Sequence, residues 1–262
     1  MTTELDVLRI VSERLDQCGL PFMLTGSFAL AYYATPRMTR DIDLVVALED
    51  RDVAQFVAAF AADFYVDEDA ARMAVRTEQL FNLMHLESGV KVDLIVRKGA
   101  DYRQAEFARR QSVRLAGVDT WIVSREDLVL SKFVWARDSA SELQLRDVRQ
   151  LLGDLVDTNY YSVLGTKPRR GRTAGSGYEM NDTSDTVATL VADHHRAMTP
   201  EQRWRVASAL FDTARAIVES SLPGDLSGPQ RRAALARRLY GTELPEAAIA
   251  AFASFKDAAR SG

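Results

Sequence analysis

The sequence predicts a mixed α/β domain followed by a small all-α domain. Three observations carry that prediction. Short apolar strand patterns alternate with helical ones from Glu4 to about Asp157. A Gly/Pro/Arg-rich stretch without hydrophobic period follows, and only helical spacing appears beyond it. The expected division is residues 1–157, a linker at 158–180, and a helical domain at 181–262.

Leu5, Leu8, Val11 and Leu15 recur at helical spacing, with Gly19 as a stop. Phe22–Thr25 reads as a short apolar strand running into Gly26-Ser27. A helix over 28–34 ends before Pro36. Asp41–Ala47 is a strand and Arg51–Ala62 a helix. Phe81–Glu87 and Val90–Val96 are strands separated by Ser88-Gly89, a hairpin signal. Residues 101–110 read as helix, and 113–123 as a strand pair broken at Gly117-Val118-Asp119. Ser124 suits the N-cap of a helix through Asp138, and a further helix covers 142–156. The strands are not separated by regular crossovers, so the sheet is mixed rather than a βαβ repeat.

The linker carries Lys167, Arg169, Arg170 and Arg172 and reads as a solvated tether, the alternative being contact with RNA or another acidic surface. Beyond it, Thr199-Pro200 is a good helix start. The helix to Ser220 is expected to bury Trp204, Ala207, Leu210, Phe211, Ala214, Ile217 and Val218. Ser227 opens a helix closed by Gly241, and residues 244–259 and 183–196 supply two more.

The composition, 47% apolar and 27% charged, is that of a folded globular chain. The longest weakly polar stretch, 22–34, is too short to cross a bilayer. No basic segment leads into an apolar run at the start, and one cysteine excludes an intrachain disulfide. A cytoplasmic protein without membrane attachment is expected. Net charge is −4 overall but −7 over residues 1–157. That balance argues against a protein that coats nucleic acid, though not against a triphosphate held through metal ions.

Three features carry chemistry. Gly26-Ser27 ends a strand and opens a helix, where free backbone amides, a glycine and a hydroxyl suit a phosphate. Asp41 and Asp43 lie two apart on a strand and project from one face. Their mutual repulsion is relieved by a divalent cation, and oxygen-only ligands suit Mg2+. Asp93 interrupts an otherwise apolar strand and completes a three-carboxylate metal site with Asp41 and Asp43 if that strand lies beside 41–47.

Gly26-Ser27, Asp41-x-Asp43 and Asp93 together resemble the nucleotidyltransferase superfamily with the DNA polymerase β palm-like fold. The run Thr39-Arg-Asp-Ile-Asp43 is most similar to AbiE-type toxin nucleotidyltransferases and their uncharacterised relatives. The resemblance covers about residues 4–157. It implies that Gly26 and Ser27 hold an NTP, Asp41 and Asp43 ligate magnesium, and Asp93 is the third carboxylate and assists deprotonation of the attacking hydroxyl. It places Lys132 and Asp147 where relatives carry a basic and an acidic residue, Lys132 on a phosphate and Asp147 orienting Lys132 or Arg146. For both the competing reading is ordinary helix-surface charge. Arg40 either reaches a phosphate or balances local charge.

The implied reaction transfers a nucleoside monophosphate to a hydroxyl acceptor such as tRNA, a protein or a small molecule, in a toxin–antitoxin setting. Two departures stand out. Relatives continue with helices that close the nucleotide cleft, whereas this chain enters the linker. Residues 180–262 resemble short helical proteins encoded beside such enzymes, and that module either docks on the transferase domain to restrain it or positions an acceptor. The alternative is a degenerate, non-catalytic transferase domain fused to a helical interaction module. Adjacent His194 and His195 point about 100° apart on a helix and make a poor metal pair. His85 and Cys18 read as structural, and the paired arginines 231/232 and 237/238 as solvated charge.

Overall fold

Strict alternation over Asp41–Val46 sets the sheet: Ile42, Leu44 and Val46 are buried, while Asp41, Asp43 and Val45 share the other, more open face. The computed structural model describes residues 2–115, 117–139, 141–152, 191 and 193–255. The linker and the part over 183–190 of the helix predicted over 183–196 lie outside the described residues, while 191 and 193–197 are helical. The elements in order are α1 (Glu4–Gln17), β1 (Phe22–Leu24), α2 (Gly26–Tyr33), β2 (Asp41–Val46), α3 (Val53–Phe60), β3 (Phe64–Val66), α4 (Glu68–Thr77), β4 (Leu80–His85), β5 (Lys91–Val96), α5 (Asp101–Ala108), β6 (Gln111–Leu115), β7 (Val118–Ile122), α6 (Arg125–Ser139), α7 (Glu142–Leu152), α8 (Pro200–Ser220), α9 (Gly228–Tyr240) and α10 (Glu246–Ser254). The fold class is therefore the predicted one, a mixed sheet with helices followed by a helical region. None of the described helices is long and apolar enough to cross a membrane.

The seven strands run in the order β3-β4-β5-β2-β1-β7-β6. β2 pairs in parallel with β5, and β1 in parallel with β7; the remaining neighbours are antiparallel. The helix ends follow local capping chemistry. Thr3 and Asp6 form a capping box at α1, Thr199 and Gln202 form another at α8, and Ser124 Oγ accepts from Asp127 N at 3.2 Å. β3 and α4 were not anticipated. Three residues are too few for a periodic signal, but the Asp67 carboxylate that caps α4 by accepting from Ala70 N is a recognisable start.

The C-terminal helices pack on the sheet domain. Trp204 is fully buried, its Nε1 donates to Phe28 O at 2.8 Å, and its ring meets Phe28 edge-on at 5.1 Å. Trp204 and Ala207 belong to the apolar cluster of the sheet, and Met84 of β4 belongs to that of the helices. The buried stripe of α8 is Trp204, Ala207, Ser208, Phe211 and Arg215. The expectation that Leu210 and Ile217 lie on it is corrected: they are 41% and 64% exposed. The stripe instead takes two polar residues because the surface opposite is polar there. Ser208 Oγ donates to Glu4 Oε2 at 2.6 Å, and Arg215 donates to Ser88 O.

Glu4 gives this contact a pH dependence. Burial pushes its carboxyl up to about 7, with the Ser208 hydrogen bond opposing. The folded state then binds the proton more tightly than the unfolded chain does. The contribution is present below the ordinary carboxylate range and lost as pH rises towards 7. In urea titrations at pH 5 and pH 8, Glu4→Gln should remove about 1–3 kcal/mol of the native chain's pH dependence. An unchanged difference between the two pH values would exclude Glu4 as its source.

Candidate active site

The parallel register of β2 and β5 builds the site: Asp41 stands beside Lys91, and Asp43 beside Asp93. Paired residues on parallel strands face the same side, so three carboxylates and one ammonium share one patch of sheet. Asn82, opposite Asp93 on β4, donates to Asp93 Oδ1 at 2.5 Å. Thr39 Oγ1 donates to Asp41 Oδ1 at 3.1 Å. Lys91 is the residue that sequence reasoning missed. Its Nζ lies 3.3 Å from Asp41 Oδ2, 3.1 Å from Asp93 Oδ2 and 2.7 Å from Glu243 Oε2. Its position two before Asp93 on the same strand was the available signal.

The α2 start lies against this patch. Thr25 N donates to Asp43 O at 2.9 Å, and no side chain caps the helix. The first amides of α2 are thus open to an anion. Gly26 has φ +63°, and a Cβ there would fall 1.9 Å from Asp43 Oδ2. Glycine lets the backbone sit directly against the carboxylate. Ser27 follows, buried.

Lys132 and Asp147 are interior residues rather than surface charges. Both are almost fully buried, with Lys132 Nζ 2.7 Å from Asp147 Oδ2, and Arg37 makes a second pair with Asp147 at 3.1 Å. Lys132 also faces Asp43 electrostatically. Arg40 turns towards the C-terminal helices, where its guanidinium bonds Leu239 O at 2.5 Å and Glu243 Oε1 at 3.0 Å. Glu243, on the turn between α9 and α10, therefore holds Arg40 and Lys91 together at the edge of the carboxylates. Nothing in its local sequence marks it for that role.

The electrostatics show the strain of the cluster. Asp43 keeps some solvent contact, but dense surrounding protein pushes its carboxyl up to about 7, and the charges of Asp41 and Asp93 push the same way. Burial raises Asp93 too, against the pull of Lys91. For Lys91, burial disfavours the charge but Asp93, Glu243 and Asp41 outweigh it, so the ammonium is held protonated. Burial lowers the Lys132 pKa, with Asp147 opposing.

A divalent cation fits the donor chemistry of Asp41 and Asp43, two oxygen ligands whose repulsion Lys91 offsets only in part. Asp93 is already engaged by Lys91 and Asn82. Among the described residues, no group of three or more His, Cys, Asp or Glu side chains is arranged to hold a metal. Next to Gly26 and Lys132 lies a cavity of about 120 Å³, floored by Val45 and Ile95 and walled by Leu128 and the half-exposed Trp135. Arg97 and Arg103 stand at its rim.

The residues set aside from sequence stay outside the site. His85 is buried and shares a hydrogen bond with Ser88 Oγ, Cys18 is a free thiol, and the rings of His194 and His195 lie 6.0 Å apart. Arg232, half-buried, bonds Phe252 O at 2.7 Å and also Leu86 O, so it ties α9 to α10 and to the residue that follows β4.

No family model matches the chain, and no curated protein matches it. Several solved structures do. An antigenic nucleotidyltransferase-like protein from Paracoccidioides brasiliensis is 19% identical, over 56% of this chain and 73% of that one, with a TM-score of 0.40. ANT(2")-Ia in complex with adenylyl-2"-tobramycin is 18% identical, over 60% and 91%, at 0.40. The lincomycin-bound lincosamide antibiotic adenylyltransferase LnuA is 17% identical, over 57% and 96%, at 0.38.

Proposed function

We propose that this chain is a magnesium-dependent nucleotidyltransferase that moves a nucleoside monophosphate from a triphosphate to a hydroxyl acceptor. The observation that carries the reading is the in-register pairing of β2 with β5, which gathers Asp41, Asp43 and Asp93 beside the uncapped start of α2. The α2 amides and the Ser27 hydroxyl bind the triphosphate, and Lys132, braced by Asp147, lends positive charge beside it. Magnesium, held by Asp41 and Asp43, would supply charge neutralisation for the phosphates. The acceptor oxygen bonds to the α-phosphorus, the α–β anhydride bond breaks, and pyrophosphate leaves. The acceptor proton passes to Asp93, whose raised pKa suits a base. Lys91 must release Asp93 for that step, and Asn82 keeps the carboxylate oriented. Tyrosine, serine or ribose hydroxyls, on a protein, a tRNA or a small molecule, are all acceptors of the right chemistry.

The C-terminal helices act on this site as a restraint, in keeping with a toxin fused to its antitoxin-like partner. Glu243 supports that role because it ties Lys91 and Arg40 to the α9–α10 turn. The same contact favours a second reading, a non-catalytic fusion in which Lys91 stands permanently as the counter-ion of the carboxylates.

The test offers α-labelled ATP, CTP, GTP and UTP separately, with magnesium, total RNA and cell extract. Native protein, Glu243→Ala and Asp41→Asn/Asp43→Asn are compared. Label should move with the native chain, rise about two- to fivefold with Glu243→Ala, and vanish with the double variant; the rise is that of a partly exposed ion pair worth ~0.5–1 kcal/mol. No transfer by native or Glu243→Ala protein with any of the four would establish the non-catalytic reading.

A further inference from the structure

Helical spacing turns Arg146 and Arg149 of α7 about 100° and 160° away from Asp147, so the helix presents a second face remote from Lys132 and the carboxylates beside it. That face borders a cavity of about 380 Å³, closed on its other sides by the end of α2, the start of α6 and residues 195–203. Arg125, Arg146, Arg149, Arg196 and Arg203 line it together with His195, and among the described residues no Asp or Glu does. Such a concentration runs against the charge of residues 1–157, which is −7.

Among the described residues, little neutralises the guanidinium groups of Arg125, Arg146, Arg149 and Arg203. Arg125 donates to Leu151 O at 2.7 Å. Arg203 donates to Ala31 O at 3.1 Å and Met198 O at 2.6 Å. Carbonyl partners fix a guanidinium without cancelling its charge. Arg146 and Arg149 are exposed and make no hydrogen bond or ion pair among the described residues. Arg196 pairs with Asp193 at 2.9 Å at the outer surface, and Glu126 lies near Tyr33 at the wall. Inside, the buried His195 Nδ1 and Gln150 Oε1 have no hydrogen-bond partner.

We infer that this cleft binds the sugar–phosphate backbone of a nucleic acid. The cavity equals about a dozen water volumes, several times what one phosphate needs. Guanidinium groups from facing walls suit successive phosphates, each as a forked donor. A free nucleotide fits less well, because binding its base calls for an apolar slot. The rings that line it among the described residues are those of Tyr33, whose hydroxyl is committed to Val123 O at 2.8 Å, and His195. Recognition through phosphates alone is sequence-independent. α7 carries Arg146 and Arg149 of the cleft as well as Asp147, which braces Lys132, yet the binding requires neither magnesium nor Asp41.

The test uses the full chain with fluorescently labelled oligo(U) and oligo(dT) at about 50 mM and 200 mM salt. Binding at about 1–100 µM that weakens with salt is expected, the range for phosphate-driven association. Equal binding of both probes assigns the phosphodiester backbone alone, and stronger binding of oligo(U) adds a ribose contact. Arg146→Glu/Arg149→Glu should bind at least about tenfold more weakly and flatten the log–log salt slope by about 1.4, two single-strand phosphate contacts. Unchanged melting would show the variant folded. Asp41→Asn/Asp43→Asn should bind like the native chain, so failure of the transferase reading leaves this result intact. The inference is overturned by absence of binding at 50 mM salt, or by equal competition from an acidic peptide of the same charge. It is also overturned if Arg146→Glu/Arg149→Glu binds normally while reversal of Lys167, Arg169, Arg170 and Arg172 abolishes binding.

Discussion

Gly26→Ala should lower nucleotide transfer by at least about 10²-fold and destabilise the chain by about 1–3 kcal/mol. Two independent effects act at this position. Its φ of +63° disfavours any L side chain, and the added methyl would fall 1.9 Å from Asp43 Oδ2 and 2.6 Å from Asp43 Cγ. The methyl and the carboxylate cannot both stay. Either Asp43 swings out of the cluster or α2 withdraws its amides, and both displace a group that the proposed chemistry needs. Gly19→Ala separates the effects, because Gly19 has φ +66° and nothing within 4 Å of the new methyl. It should show the stability loss in urea titration with transfer unchanged. Equal transfer by Gly26→Ala and Gly19→Ala would mean that close approach at Gly26 is irrelevant to catalysis.

Trp204→Ala should cost about 3–5 kcal/mol, the largest stability loss of any single truncation considered. The indole is fully buried, bridges α8 to α2, and satisfies the Phe28 carbonyl at 2.8 Å. Its removal leaves a cavity against Phe28 and takes a second donor from a carbonyl inside α2. Because α2 also carries Gly26 and Ser27, the same truncation should loosen the helix proposed to receive the triphosphate and weaken nucleotide affinity. Denaturant unfolding of the variant reads the first effect and nucleotide titration the second. A loss below about 1 kcal/mol would show that the C-terminal helices hold to the sheet by other contacts.

The carboxylate patch was legible because strand alternation is local: Asp41 and Asp43 had to share a face, and the Ser88-Gly89 break fixed the β4–β5 hairpin that carries Asp93. What lay out of reach was set by contacts far apart in sequence. Lys91 was visible as a strand residue, but its position among three carboxylates needed Glu243, 152 residues away. Lys132 and Asp147 read equally well as surface charge until α6 and α7 closed on each other. Leu210 and Ile217 satisfied helical periodicity, yet α8 meets polar Glu4 and the Ser88 carbonyl, so Ser208 and Arg215 take the inner positions. The strand order, with β1 between antiparallel β2 and parallel β7, has no local signature either.

The central claim is that Asp41 and Asp43 form a cation-dependent nucleotide site beside α2. Calorimetric titration of a non-hydrolysable ATP analogue, with and without magnesium, tests it most directly. Binding that requires magnesium in the native chain and is lost in Asp41→Asn/Asp43→Asn is the predicted result. Binding of equal strength without magnesium, or in the double variant, would contradict it.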